Sequence, residues 1–152
     1  MDSRKLKKLL FENCFDFVAN RAKTVQDIIA SNQKSLQSET KSSAGDKHET
    51  GRAMLQLEME KASQQLVSID QMKAILHKIN PEIISKNVQL GSVVITSLAN
   101  YFLTIGMGKI EIDKKEYYAV SPSSPIGKKL LGSKAGDILL FNEKTFEILE
   151  VF

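Results

Sequence analysis

The sequence has little cysteine, histidine or proline, and it has no tryptophan. A single cysteine, Cys14, excludes an internal disulfide and a cysteine-rich zinc site, and the two histidines, His48 and His77, exclude a histidine cluster for a transition metal. This cysteine usage is typical of a reducing cytoplasm. With 21 basic and 18 acidic residues the net charge is only +3, which argues against a protein that coats duplex DNA and against sequence-specific DNA binding.

Long apolar runs are also absent. The most apolar window, residues 93 to 108, contains several polar residues and is shorter than the roughly 20 residues that a membrane helix needs. The basic N-terminal stretch is interrupted by Glu12 and Asn13, so it does not resemble a secretory signal. We therefore expect a folded cytoplasmic protein with no membrane partner.

Proline and glycine divide the chain into two parts. All three prolines lie at or beyond Pro81, and only Gly45 and Gly51 among the glycines precede it. The small positive excess of charge lies entirely before Pro81 as well. The sequence thus predicts one domain over residues 1–80 and a second over residues 81–152.

The first domain has the apolar spacing of two helices that pack along each other, with steps of three and four residues. The repeating positions are Phe11, Phe15, Val18, Ala22, Val25, Ile29, Asn32 and Leu36, then Leu55, Met59, Ala62, Leu66, Ile69, Lys73 and Leu76. This pattern predicts an antiparallel coiled-coil hairpin with its tip at residues 42–51. Because each helix finds its partner in the same chain, we expect a monomer, although a domain-swapped pair would use the same contacts.

The second domain has the period of a β-sheet. Short β-branched or aromatic runs bounded by glycines and polar turns lie at residues 88–97, 101–105, 109–112, 116–120, 137–141 and 145–151. They predict a small, mostly antiparallel sheet. Between the fourth and fifth runs, Ser124 as N-cap, Pro125 at the first helical position and Gly132 as the stop predict one short helix. The fold class is therefore α+β.

The tip contains two carboxylates, Asp46 and Glu49, at a spacing that places both on one face of a helix. Such a pair suits Mg²⁺, which accepts one or two protein carboxylates and takes its other ligands from water or phosphates. The same two residues also fit a capping box at a helix start. Lys41, Lys47 and Arg52 surround the pair and either meet phosphates or form an ordinary solvated surface.

Two segments resemble the bacterial Gre-type transcript cleavage factors. The tip, Gly45-Asp46-Lys47-His48-Glu49, is similar to that family's Gly-Asp-x-x-Glu turn. The segment from Val120 to Gly132, followed by Gly136-Asp137, is similar to its C-terminal signature and is the more specific of the two. The resemblance extends over nearly the whole chain.

The resemblance implies an FKBP-like C-terminal domain that docks at the rim of the RNA polymerase secondary channel, through Ser124, Pro125 and Ile126. The coiled coil would enter the channel. There Asp46 and Glu49 would act as the catalytic pair, holding a second Mg²⁺ and orienting water so that a backtracked RNA 3′ end is hydrolysed. Mg²⁺ would be bound only within the polymerase complex, and the chain would be an accessory factor, not an enzyme.

Two alternatives stay open at this point. Many family members have an aromatic residue shortly after the acidic turn, whereas this chain has Thr50-Gly51-Arg52-Ala53, and some relatives occupy the channel without cleaving RNA. The chain would then be a non-cleaving regulator or inhibitor of RNA polymerase. The implied fold of the second domain also occurs in prolyl isomerases and chaperone-like modules, a reading that the absence of tryptophan disfavours.

Overall fold

The computed structural model describes residues 1–41 and 46–152, with side chains for all of these except residues 39–41 and 46–48. Two long helices come first, α1 over Ser3–Lys41 and α2 over Asp46–His77. The remaining elements are β1 (Val93–Thr96), β2 (Asn100–Leu103), β3 (Gly108–Ile112), β4 (Lys115–Val120), α3 (Pro125–Leu130), β5 (Ile138–Phe141) and β6 (Lys144–Val151). The chain is thus a mixed α+β protein, as the sequence predicts.

The two long helices follow the apolar spacing of the sequence. Between Ser3 and Lys41 there is neither proline nor glycine to interrupt the helix. Among the repeating positions, Val18, Ala22, Val25 and Asn32 of α1 and Ala62, Ile69 and Leu76 of α2 are buried, whereas Phe15 is 43% exposed. Near the start of α1, side chains outside the repeat are buried as well, namely Leu6, Lys7, Leu10 and Cys14. Among the described residues, none of the helices is long and apolar enough to cross a bilayer.

The six strands form one sheet in the order β3-β4-β2-β1-β6-β5. Every neighbouring pair is antiparallel except β2 and β4, which run parallel. Two-residue turns join β3 to β4 and β5 to β6, and all four turn residues, Asp113, Lys114, Asn142 and Glu143, have positive φ. Such turns match the twist of the strands that they connect. The prediction of a mostly antiparallel sheet is confirmed.

The first strand is shorter than the sequence predicts. The sequence predicts an extended segment over residues 88–97, but β1 covers only Val93–Thr96. Gly91 has a φ of 91°, and its N–H donates to the Leu103 carbonyl at 2.7 Å. The Ser92 hydroxyl accepts from the Gln89 N–H at 3.0 Å. The segment before β1 is therefore a turn, which the β-branched composition of this run hides.

The contacts divide the chain into two compact units. Unit 1 comprises Met1–Phe17 and Lys73–Phe152, and unit 2 comprises Val18–Met72. Unit 1 contains the sheet, and one of its cores consists of Val88, Val94, Leu103, Leu130, Phe146 and Ile148. Both long helices pass from one unit into the other. The domain boundary at Pro81, which rests on composition, stays a prediction.

Candidate functional site

The acidic pair lies at the start of the second helix. Helix α1 ends at Lys41, and α2 begins at Asp46, so Asp46, Lys47 and Glu49 all fall in its first turn. Three residues separate Asp46 from Glu49, which places their Cβ atoms on one face of the helix. The backbone therefore brings the two predicted acids together.

The side chains at this site are described in part. Glu49 and Arg52 are exposed. The side chains of Lys41, Asp46 and Lys47 lie outside the described residues, and so do the contacts that a capping box requires. An acid in the first turn interacts favourably with the helix dipole, whatever further role it has.

The donor set at the start of α2 fits a hard cation. Carboxylate oxygens are the ligands that Mg²⁺ prefers, and two of them leave most of an octahedral shell to be filled from elsewhere. Among the side chains that the structure describes, no three His, Cys, Asp or Glu residues come together as a metal site. The role of Asp46 and Glu49 in binding Mg²⁺ stays a prediction.

A polar contact joins the two helices within unit 2. The buried Asn32 side chain of α1 donates from Nδ2 to the Glu58 carboxylate of α2 at 3.2 Å. A groove of about 680 Å³ runs beside this contact and is lined by polar and apolar residues, including Asp27, Ile28 and Lys61. The apolar spacing includes Asn32 among its repeating positions but does not indicate that Glu58 is its partner. A polar residue at a buried repeating position is itself the signal that a partner on the other helix is needed.

The second predicted site, Ser124-Pro125-Ile126, opens helix α3. Ser124 is the N-cap: its hydroxyl accepts from the Gly127 N–H at 3.1 Å and donates to the Ser121 carbonyl at 2.6 Å. Pro125 occupies the first turn and is exposed. Ile126 is half-buried and packs against the core of unit 1. The predicted cap is confirmed, whereas a role of this segment in docking stays a prediction.

Gly127 holds this segment close to the preceding turn. A Cβ atom at Gly127 would lie 2.0 Å from the Ser121 carbonyl oxygen and 2.9 Å from the Pro122 Cα. Only glycine allows the two stretches of backbone to approach so closely. Helix α3 and the turn before it therefore form a fixed structure that presents Pro125 to solvent.

The single cysteine is part of the packing of unit 1. Burial raises the pKa of the Cys14 thiol to about 12, and the nearby Thr104 hydroxyl opposes that shift to a smaller extent. Among the described residues the Thr104 hydroxyl has no partner that meets the distance and angle of a hydrogen bond, so its contact with the Cys14 thiol is weak. A buried thiol with a raised pKa is a poor nucleophile and a poor metal ligand. We therefore assign Cys14 a structural role.

A search of models of known protein families found no match, and a search of curated proteins found none either. The family resemblance of residues 45–49 and 120–137 therefore rests on the sequence segments themselves.

Proposed function

We propose that the chain is an accessory factor of bacterial RNA polymerase that stimulates cleavage of backtracked RNA. In this proposal α1 and α2 form an antiparallel coiled-coil hairpin, and residues 81–152 form an FKBP-like domain. One observation carries the proposal: α1 ends at Lys41 and α2 begins at Asp46, so Asp46 and Glu49 share one turn of helix directly after the connection.

Two contacts support an antiparallel hairpin. In unit 1 the rings of Phe15 and His77 lie 6.1 Å apart, and in unit 2 Asn32 donates to Glu58. A higher residue number in α1 is thus paired with a lower residue number in α2, as expected for antiparallel helices. Within unit 2, α1 runs from Val18 to its end over about 35 Å at roughly 1.5 Å per residue. A pair of helices of that length suits the presentation of its connecting turn to another molecule.

The chemistry of the tip fits phosphodiester hydrolysis. When bound, a second Mg²⁺ supplies stabilisation of the attacking and leaving oxygens of an in-line displacement. Asp46 and Glu49 would hold that ion and orient water within the polymerase complex, while Lys41, Lys47 and Arg52 would neutralise phosphates of the nascent RNA. Two carboxylates fill only part of the octahedral shell of Mg²⁺, so the polymerase, the RNA and water would supply the other ligands.

The short helix α3 is the proposed docking element of residues 81–152. Ser124, Pro125 and Ile126 would contact the rim of the secondary channel, with Pro125 exposed and its neighbours engaged in the cap and the core. Because the cap hydrogen bonds fix the start of α3, this surface would lose little conformational entropy on binding.

Transcript cleavage in stalled elongation complexes tests the proposal. The native chain should shorten the RNA, and Asp46→Ala and Glu49→Ala should each lower that activity at least tenfold. Glu60→Ala is the matched control, because it removes one exposed acid from the same helix outside the first turn. It should retain native activity.

The alternatives give different outcomes in the same assay. If all four proteins shorten the RNA equally, the metal-binding role of the tip is wrong. If none does and elongation slows, the chain is a non-cleaving regulator of RNA polymerase. A prolyl isomerase would turn over a proline peptide instead, but Phe102 and Tyr117, two of the aromatic residues of the sheet, are buried within it.

A further inference from the structure

A groove in unit 1 is lined by the cationic start of α1 and by the loop after α2. It has a volume of about 410 Å³, and its lining residues are Arg4, Lys5, Lys8, Pro81 and Glu82. The three cations lie on one face of α1, because Lys8 follows Arg4 by four residues and Lys5 by three. All three are exposed.

These cations lie where the helix itself disfavours them. The first turn of α1 contains no acid, and the positive end of the helix dipole repels basic side chains. Like charges four residues apart, such as Arg4 and Lys8, also repel each other. Among the described residues none of the three forms a salt bridge. The arrangement lowers the stability of the free protein, which is typical of residues kept for binding.

Two exposed isoleucines follow the groove residues in the chain. Ile83 is 53% exposed and Ile84 is 45% exposed. Their segment is fixed: the Ile83 N–H donates to the Asn80 carbonyl at 3.1 Å, and the buried Lys7 ammonium donates to the Ile83 carbonyl at 2.5 Å. The cations and the apolar side chains are therefore parts of one ordered surface.

We propose that Arg4, Lys5 and Lys8, together with Ile83 and Ile84, form a docking surface for an acidic protein surface. Apolar side chains beside charged ones match the apolar core and charged rim of a protein interface. The exposed Ile83 and Ile84 favour protein over nucleic acid as the partner, because a phosphate backbone offers no apolar surface to cover them. The inference rests on the proposed function for its partner, an acidic surface of RNA polymerase.

Binding of the full-length chain to core RNA polymerase, measured by biolayer interferometry over a range of salt concentrations, tests this surface. The triple variant Arg4→Glu, Lys5→Glu, Lys8→Glu should bind at least tenfold more weakly, and its affinity should lose most of its dependence on salt. Acids at a helix start are favoured by the dipole, so the melting temperature of the variant should not fall. Weakened binding would then not reflect unfolding.

A matched control carries the same change of charge elsewhere. Lys115, Lys134 and Lys144 are exposed residues of unit 1 outside the groove, and their triple replacement by Glu should leave the affinity within twofold of native. The double variant Ile83→Ser, Ile84→Ser should weaken binding about tenfold and keep the native dependence on salt. The two variants thus separate the charged and apolar parts of the surface.

The outcomes distinguish this inference from the proposed function. If the native chain does not bind polymerase, the proposed function fails and this inference fails with it. If the native chain binds and the groove triple variant binds equally well, or no worse than the control, only the inference is overturned. It is also overturned if the triple variant keeps its affinity for polymerase but loses binding to a single-stranded RNA oligonucleotide.

Discussion

Unit 1 and unit 2 bury different kinds of side chain. Among the described residues, most of the largest side chains with almost no exposure belong to unit 1, including Phe102, Leu103, Ile148 and Leu10, and Val18 is the exception in unit 2. Among the described residues of unit 2 the buried side chains are Val18, Ala22, Val25, Asn32, Ala62 and Ile69, most of them small and one of them polar. Burying a large apolar side chain contributes roughly 1.5–3 kcal/mol. The comparison indicates that unit 1 supplies most of the stability and that unit 2 opens more readily.

The largest effect is expected for Gly127→Ala in unit 1. The new Cβ would meet the Ser121 carbonyl oxygen at 2.0 Å, so backbone must move, and the free energy of unfolding should fall by about 3 kcal/mol or more. Chemical denaturation followed by circular dichroism measures this change. Gly106→Ala is the control, because its Cβ would have no neighbour within 4 Å. Equal stability of the two variants would contradict the close approach.

A smaller loss is expected for Ser124→Ala, again in unit 1. This change removes the N-cap of α3, which accepts from the Gly127 N–H, and should lower the free energy of unfolding by about 1 kcal/mol. Ser123→Ala, at the exposed neighbouring position, should cost less. Denaturation curves of both variants measure the two losses of stability. If the Ser123 variant is the less stable one, the cap contributes less than the structure indicates.

In unit 2 a core change is expected to act in the opposite direction. Asn32→Leu replaces a buried amide with an apolar side chain, while the exposed Glu58 carboxylate regains water, so unit 2 should become more stable by up to about 1 kcal/mol. Hydrogen exchange of residues 18–38 measures this effect. Asn20→Leu, an exposed control on the same helix, should change little. Faster exchange in the Asn32 variant would show that the polar contact stabilises the helices.

The effect that is smallest at neutral pH concerns the alkaline limit of unit 1. Burial raises the pKa of Cys14 from its ordinary value of 9.0 to about 12, so the unfolded chain loses this proton first as the pH rises. The buried, protonated thiol of Cys14 makes its full contribution to the free energy of unfolding below pH 9, and this contribution declines between about pH 9 and 12. Unfolding curves of the native chain and Cys14→Ala, compared across that range, should converge as the pH rises. A constant difference would contradict the raised pKa.

Much of the fold could be predicted from local patterns. Helix α1 itself follows from the apolar spacing and from the lack of proline and glycine between Ser3 and Lys41, and the cap at Ser124 follows from the Ser-Pro pair. The late start of β1 could not be predicted, because the turn at Gly91 depends on a hydrogen bond to a distant carbonyl, that of Leu103.

Contacts between distant residues were the main features that the sequence concealed. The burial of Lys7 depends on the Ile83 carbonyl, and the need for glycine at position 127 depends on a neighbouring backbone, neither of which has a local signal. At the candidate site the helix start at Asp46 agrees with the expected acidic turn. The geometry of its carboxylates depends on side chains outside the described residues.

We propose that unit 1 supplies most of the stability and that Asp46 and Glu49, which belong to unit 2, supply the chemistry. The double variant Asp46→Asn, Glu49→Gln tests this claim most directly, because it removes both negative charges and preserves side-chain size. Binding to polymerase and transcript cleavage should be measured on the same preparation. We expect native affinity with cleavage reduced at least a hundredfold; native affinity with native cleavage would contradict the account.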